Sequence, residues 1–264
     1  MYHKTTDNLN LYYELHGNPD SKKAIIFLNG ITQSSIAWKL MLSDFAKDYQ
    51  LIICDFIFQG LSDKKGDMRN FDQHAADIYS LLDALNVNKV NMVGLSYGSL
   101  VAQHFAINHP EKLNKLFLLS TFAHQTPYLE AMSFAWERAL DVGGYSLMFD
   151  IMLPVVLSEA YFNHPLIPLE VLKIARENIN TDPTALKKLM QATYERGDYR
   201  EKLKVIKTPT MVIHGENDSL LPIHMAKTVA DSIQGSKFET ILGIGHTLNL
   251  EAIPETVKLI SEFI

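Results

Sequence analysis

The chain has 264 residues, 47% of them hydrophobic and 20% charged, a composition that places it among folded globular proteins and excludes a disordered or low-complexity chain. A formal charge of −6, a pI near 5.9 and no Lys/Arg block argue against a nucleic-acid-binding surface. The single cysteine, Cys54, rules out an internal disulfide, and its place in the run Leu51-Ile52-Ile53-Cys54 predicts a buried strand residue, not a nucleophile. The N-terminus has no apolar signal core and no 18-residue apolar run suggests a membrane span, so a cytoplasmic protein is expected.

In chain order, Leu11 to Leu15 alternates like an edge strand, and Ala24 to Leu28 is apolar throughout, as a strand covered on both faces should be. A helical stretch around 35–48, a strand at 50–54, a helix at 71–86, a strand at 89–93, a helix at 97–108 and a strand at 114–120 follow. The rhythm then breaks. Residues 122–205 are helical, rich in Phe, Tyr, Met and Leu, and punctuated by Gly143-Gly144, Pro154, Pro165, Pro168 and Pro183. Strands at 209–213 and 237–242, a helix near 223–233 and a last helix from Pro254 resume the pattern. Alternating strands and helices predict an α/β fold with a mostly parallel sheet and helices on both faces. The expected organisation is a core of 1–121 and 206–264 with a helical lid of 122–205 inserted in it.

The chemistry-bearing pattern is Gly94-Leu95-Ser96-Tyr97-Gly98, between the apolar run Val90–Val93 and the helical spacing of Leu100, Val101 and Phe105. A serine hydroxyl is a poor nucleophile unless it is held out beside a base. A strand-to-helix turn sharp enough to do so strains the serine backbone and demands small residues two places before and after it, which Gly94 and Gly98 supply. In an open α/β sheet the serine's partners belong on loops at the carboxyl ends of strands. Asp218, after the run ending Ile213-His214-Gly215, supplies an acid, with Glu216 as the fallback. His246, in Gly243-Ile244-Gly245-His246, supplies the base. Two backbone donors are needed for an oxyanion. They are expected from the amides of Tyr97 and of Ile31, the latter swung inward by the turn at Asn29-Gly30. His104 and His109 lie five apart on one helix and form no metal pair; no metal-ligand spacing and no nucleotide loop is present, so no metal and no cofactor is expected.

These pieces, with Asp55-x-x-x-x-Gly60-x-Ser62 and Pro222, resemble the α/β-hydrolase superfamily over essentially the whole chain. The resemblance implies an eight-stranded sheet, the order nucleophile–acid–histidine seen in Ser96, Asp218 and His246, and, from serine at 96, the esterase, lipase, thioesterase, acyltransferase and carbon–carbon bond hydrolase branches. Two departures stand out. Many members have His-Gly at Asn29-Gly30 and Gly-His-Gly at Phe58-Gln59-Gly60. Together with His246-Thr-Leu-Asn-Leu-Glu251 they are similar to bacterial enzymes that take 3-hydroxyacyl chains from acyl carrier protein, which implies an acyl carrier or coenzyme A thioester as partner. The leading expectation is a serine hydrolase acting on an acyl ester or thioester. Its rivals are acyl transfer to an alcohol or thiol, and a ligand receptor that kept the fold without turnover.

Overall fold

The computed structural model describes all 264 residues. In chain order it contains β1 (Tyr2–Lys4), β2 (Asn10–Gly17), β3 (Ala24–Leu28), α1 (Lys39–Phe45), β4 (Gln50–Cys54), α2 (Phe71–Ala84), β5 (Val90–Leu95), α3 (Tyr97–Asn108) and β6 (Leu113–Leu119). Five helices follow without a strand: α4 (Pro127–Val156), α5 (Glu159–Asn163), α6 (Leu169–Ile179), α7 (Pro183–Glu195) and α8 (Arg200–Leu203). The chain closes with β7 (Thr210–Gly215), α9 (Ile223–Ser232), β8 (Lys237–Ile241), α10 (Leu248–Glu251) and α11 (Ile253–Phe263).

The strands form one eight-stranded sheet in the order β1-β2-β4-β3-β5-β6-β7-β8. From β4 to β8 every neighbouring pair is parallel; β1 and β2 pair antiparallel. The expectation of an edge strand at Leu11–Leu15 is corrected: β1 pairs outside β2, with Tyr2 opposite Tyr12, and takes the edge position. β1 is three residues long and alternates little, so periodicity carried no signal for it.

The buried strands divide their side chains between two apolar layers. Ile26, Leu28, Ile52, Met92 and Leu118 pack with Leu81 of α2 and Phe105 of α3. Their alternates Ile25, Phe27, Ile53, Val93 and Phe117 pack with Met41 of α1 and Ile260 of α11. Continuous apolar runs are therefore required, since each face is covered, and every such side chain withdrawn from water contributes about 2 kcal/mol. Cys54 is fully buried in β4, and burial pushes its thiol pKa well up, which keeps it protonated.

α2 starts where Asn70 Oδ1 accepts from the Gln73 amide and Gln73 Oε1 accepts from the Asn70 amide, both at 2.9 Å. α4 is the one helix long and apolar enough by length and composition to cross a membrane, a run the sequence reading did not expect. It is broken at Gly144, whose φ of 67° interrupts the helical backbone, and it carries Pro154 near its end. Trp136, Phe149 and Met152 turn from it toward a cavity beside Ser96.

Candidate active site

β5 runs directly into α3 through Ser96, whose backbone sits at φ 52°, ψ −114°. That left-handed conformation is strained for a side chain bearing a Cβ, and the surroundings hold it there. The Ser96 amide donates to Leu119 O of the neighbouring strand at 2.9 Å, and Ser99 N and Leu100 N donate back to Ser96 O. A Cβ on Gly94 would run into the Gly98 carbonyl, and one on Gly98 into the Leu28 carbonyl. The small residues are thus a steric requirement of the turn. The Ser96 hydroxyl is left facing a cavity.

The loops after β7 and β8 are tied together by Glu216 N to Ile241 O at 2.9 Å and Asn217 N to Ile244 O at 2.8 Å. This brings Asp218 and His246, 28 positions apart, into contact: His246 Nδ1 lies 2.7 Å from Asp218 Oδ2. A carboxylate only accepts, so Nδ1 carries the proton and Nε2 is left with a free lone pair. Asp218 Oδ1 accepts from the Leu221 amide at 2.8 Å, which orients the carboxylate. Beneath it His214 donates from Nε2 to Leu221 O at 2.8 Å, and burial lowers its pKa, so it stays neutral. Glu216 points elsewhere; its carboxylate accepts from the Gly243 amide.

Ser96 and His246 line the same cavity, of about 600 Å³, together with Gly30, Ile31 and side chains of α4 and α6. A second cavity of about 530 Å³ also reaches Ser96 and is lined by Ile31, Tyr97, Leu129 and Met190. The Ile31 amide donates to no protein acceptor, and Tyr97 N, at the first position of α3, has no carbonyl a turn earlier in its helix. Both residues border the cavity at Ser96. Asn29 is buried below: Nδ2 donates to Cys54 O at 2.7 Å, and Oδ1 accepts from Trp38 Nε1 at 3.0 Å.

Several residues at this site were not singled out in the sequence. Gln59 Nε2 donates to Gly30 O at 2.9 Å and Ile31 O at 3.1 Å, fixing the loop that carries the Ile31 amide. The departure Phe58-Gln59-Gly60 was the available signal. Gln33 and Asn249 exchange side-chain amide bonds of 3.2 and 3.0 Å, joining that loop to α10, just after His246. Val156 O, at the end of α4, accepts from His246 N and Thr247 Oγ1, both at 3.1 Å. Glu251 accepts from the amides of Ser158 and Gly245. Apart from Gly245 with Glu251, six residues apart, these pairings join distant parts of the chain, so no local pattern announces them. His104, by contrast, is taken up by Asp72 and Tyr199.

A family model for the alpha/beta hydrolase fold matches residues 23–253. The chain is similar to the 2-hydroxymuconate semialdehyde hydrolase of Pseudomonas sp. (strain CF600), 24% identical over 86% of this chain and 80% of that one. It is also similar to the human monoacylglycerol lipase ABHD6, 25% identical over 96% of this chain and 78% of the other. Among solved structures, MGS-M2, an alpha/beta hydrolase enzyme from a Medee basin deep-sea metagenome library, superposes with a TM-score of 0.90 at 25% identity, covering 100% of this chain and 96% of that chain. A thermophilic esterase from Thermogutta terrifontis shares the fold, with a TM-score of 0.87 at 23% identity over 99% and 96% of the two chains. The protein belongs to the α/β-hydrolase family and is a hydrolase of that family.

Proposed function

We propose that the protein is a serine hydrolase that cleaves an acyl ester or thioester through an acyl-enzyme. The observation that carries this reading is a strained, solvent-facing Ser96 sharing a cavity with a histidine whose Nδ1 is occupied by a buried carboxylate. In this reading His246 Nε2 takes the proton of Ser96 Oγ as the oxygen attacks the acyl carbon, and returns it to the departing alcohol or thiol. Asp218 holds the tautomer and stabilises the imidazolium. The amides of Ile31 and Tyr97 bind the oxyanion, aided by the positive end of α3. Water, deprotonated by His246, then attacks the acyl-Ser96 carbonyl; the acid is released and Ser96 recovers its proton. Helices α4–α7 act as the lid over this chemistry, and their Leu129, Trp136 and Met190, around the second cavity, suit an apolar acyl group. The ester chemistry of the similar lipase and esterase agrees with this.

The test is intact-mass analysis after a fluorophosphonate probe: the wild type gains one adduct and Ser96→Ala gains none. An unlabelled wild-type protein overturns the reading. Acyl transfer to an alcohol or thiol in place of water is the second reading, favoured by two cavities meeting at Ser96, so that an acceptor, acyl carrier or coenzyme A thiols included, enters beside His246 while the acyl chain stays in the other.

A further inference from the structure

The cavity shared by Ser96 and His246 is apolar over most of its wall, and Arg176 of α6 is its one cationic side chain apart from the histidine. Arg176 Nη1 donates to Thr32 O at 2.9 Å, and the guanidinium makes no other protein hydrogen bond. It forms no ion pair. The titratable groups acting on it are the phenols of Tyr145 and Tyr161, both neutral at pH 7, and no carboxylate is among them. A guanidinium stays charged at any physiological pH, so this is a half-buried positive charge with no counter-ion. An anion arriving there gains charge-assisted, bidentate bonds without displacing a protein partner.

Position gives the charge a direction. Arg176, with Leu172 and Leu250, also borders an exterior groove of about 850 Å³ between α1 and α6, so it stands where the groove meets the Ser96 cavity. The cavity holding Arg176 also holds His246, whereas the second cavity at Ser96 holds Tyr97 and lacks His246. The histidine protonates the departing group, so the leaving group lies on the Arg176 side and the acyl chain on the other; this step rests on the function proposed above.

We propose that Arg176 binds an anionic group, a carboxylate or a phosphate, on the leaving group, so that the favoured substrates are esters or thioesters joining an apolar acyl chain to an anionic alcohol or thiol. Ser96 Oγ bonds to the acyl carbon as the carbon–oxygen or carbon–sulfur bond breaks. The departing alcohol or thiol takes its proton from His246 and leaves still paired to Arg176. Water completes hydrolysis, and the second product is the free fatty acid.

Steady-state hydrolysis of octanoyl esters of hydroxyacetate, hydroxypropionate and hydroxybutyrate, each beside its neutral amide, tests this. The octanoyl ester of phosphoethanol separates phosphate from carboxylate, and the monomethyl ester of octanedioic acid puts the anion on the acyl side. The wild type is expected to favour the best leaving-group anion over its amide by at least about tenfold in kcat/KM, with no such preference for the acyl-side anion. Arg176→Gln brings that ratio near one, and Arg176→Lys, which lacks the planar fork, keeps part of it. A wild-type ratio at or below one, an equal preference for the acyl-side anion, or a ratio that Arg176→Gln retains overturns the inference. The wild-type ratios stand even if a variant fails to fold. Fluorophosphonate labelling separates the two readings: a labelled enzyme with no charge preference overturns only this one, and an unlabelled enzyme overturns both.

Discussion

Gln59 holds Ile31 by its carbonyl: Nε2 donates to Ile31 O at 3.1 Å and to Gly30 O at 2.9 Å, while the Ile31 amide has no protein acceptor. The side chain is buried and is supported by Asn29, whose Nδ2 approaches Gln59 Oε1 at 3.4 Å. Gln59 therefore acts through the loop, as a positioning residue for the proposed oxyanion donor. Gln59→Ala should lower kcat by about a hundredfold, the order of losing one oxyanion donor, with a smaller change in KM. Steady-state kinetics beside a melting curve checks this; equal losses in stability and in both kinetic constants would mark a general packing role.

Asp218→Asn should leave the fold intact and lower kcat by about 10,000-fold, because an amide can donate to Nδ1 and turn the imidazole to the wrong tautomer. Glu216→Gln should stay within about twofold of wild type, since Glu216 bonds the Gly243 amide and not His246. Ester hydrolysis by both variants at one pH decides between the two acids; a larger loss at Glu216 would reverse the assignment.

The turn at Ser96 predicts opposite stability effects for neighbouring substitutions. Ser96→Gly relieves the φ of 52° and should raise stability by about 1 kcal/mol while abolishing turnover. Gly94→Ala and Gly98→Ala drive a Cβ into backbone carbonyls that cannot swing away, and each should cost more than about 2 kcal/mol. Urea titration of the three variants is the measurement, and a stable, active Gly98→Ala enzyme would refute the steric account.

Acid should destabilise the protein through buried histidines. His74 is fully buried, with no hydrogen-bond partner on either ring nitrogen, and packs against Phe56 and Tyr97. Burial lowers its pKa to about 3, with smaller contributions from the charges of Arg69 and His104. An unfolded histidine binds a proton below about pH 6.5, so between there and about pH 3 the unfolded state holds one more proton than the folded state. Stability is complete above pH 6.5 and falls as the pH drops, by up to about 1.4 kcal/mol per pH unit for this residue. His104, lowered to about 4 chiefly by burial, adds to the slope. His74→Met should flatten the dependence of unfolding free energy on pH from 6 to 4 by about one proton; an unchanged slope would show that His74 titrates normally.

Much of the architecture was legible in the sequence because it is a local property. Continuous apolar runs such as Ala24–Leu28 and Val90–Val93 name doubly covered strands, and Gly94-x-Ser96-x-Gly98 names a sharp turn between strand and helix. The strands ending at Gly215 and Ile241 put Asp218 and His246 on the loops that follow them. β1 escaped, because three residues carry no period.

What the chain order determined by itself was the set of reactive groups and the fold that carries them: a serine on a strained turn, an acid and a histidine after later strands, glycines where a Cβ cannot fit. Only the tertiary structure decided how these groups are held and what they face. The 2.7 Å contact of His246 with Asp218, the grip of Gln59 on Ile31 and the unpaired charge of Arg176 above Ser96 all join residues far apart in sequence. Hydrogen bonds, desolvation and counter-ions depend on which segments meet in space, and no local periodicity encodes that meeting.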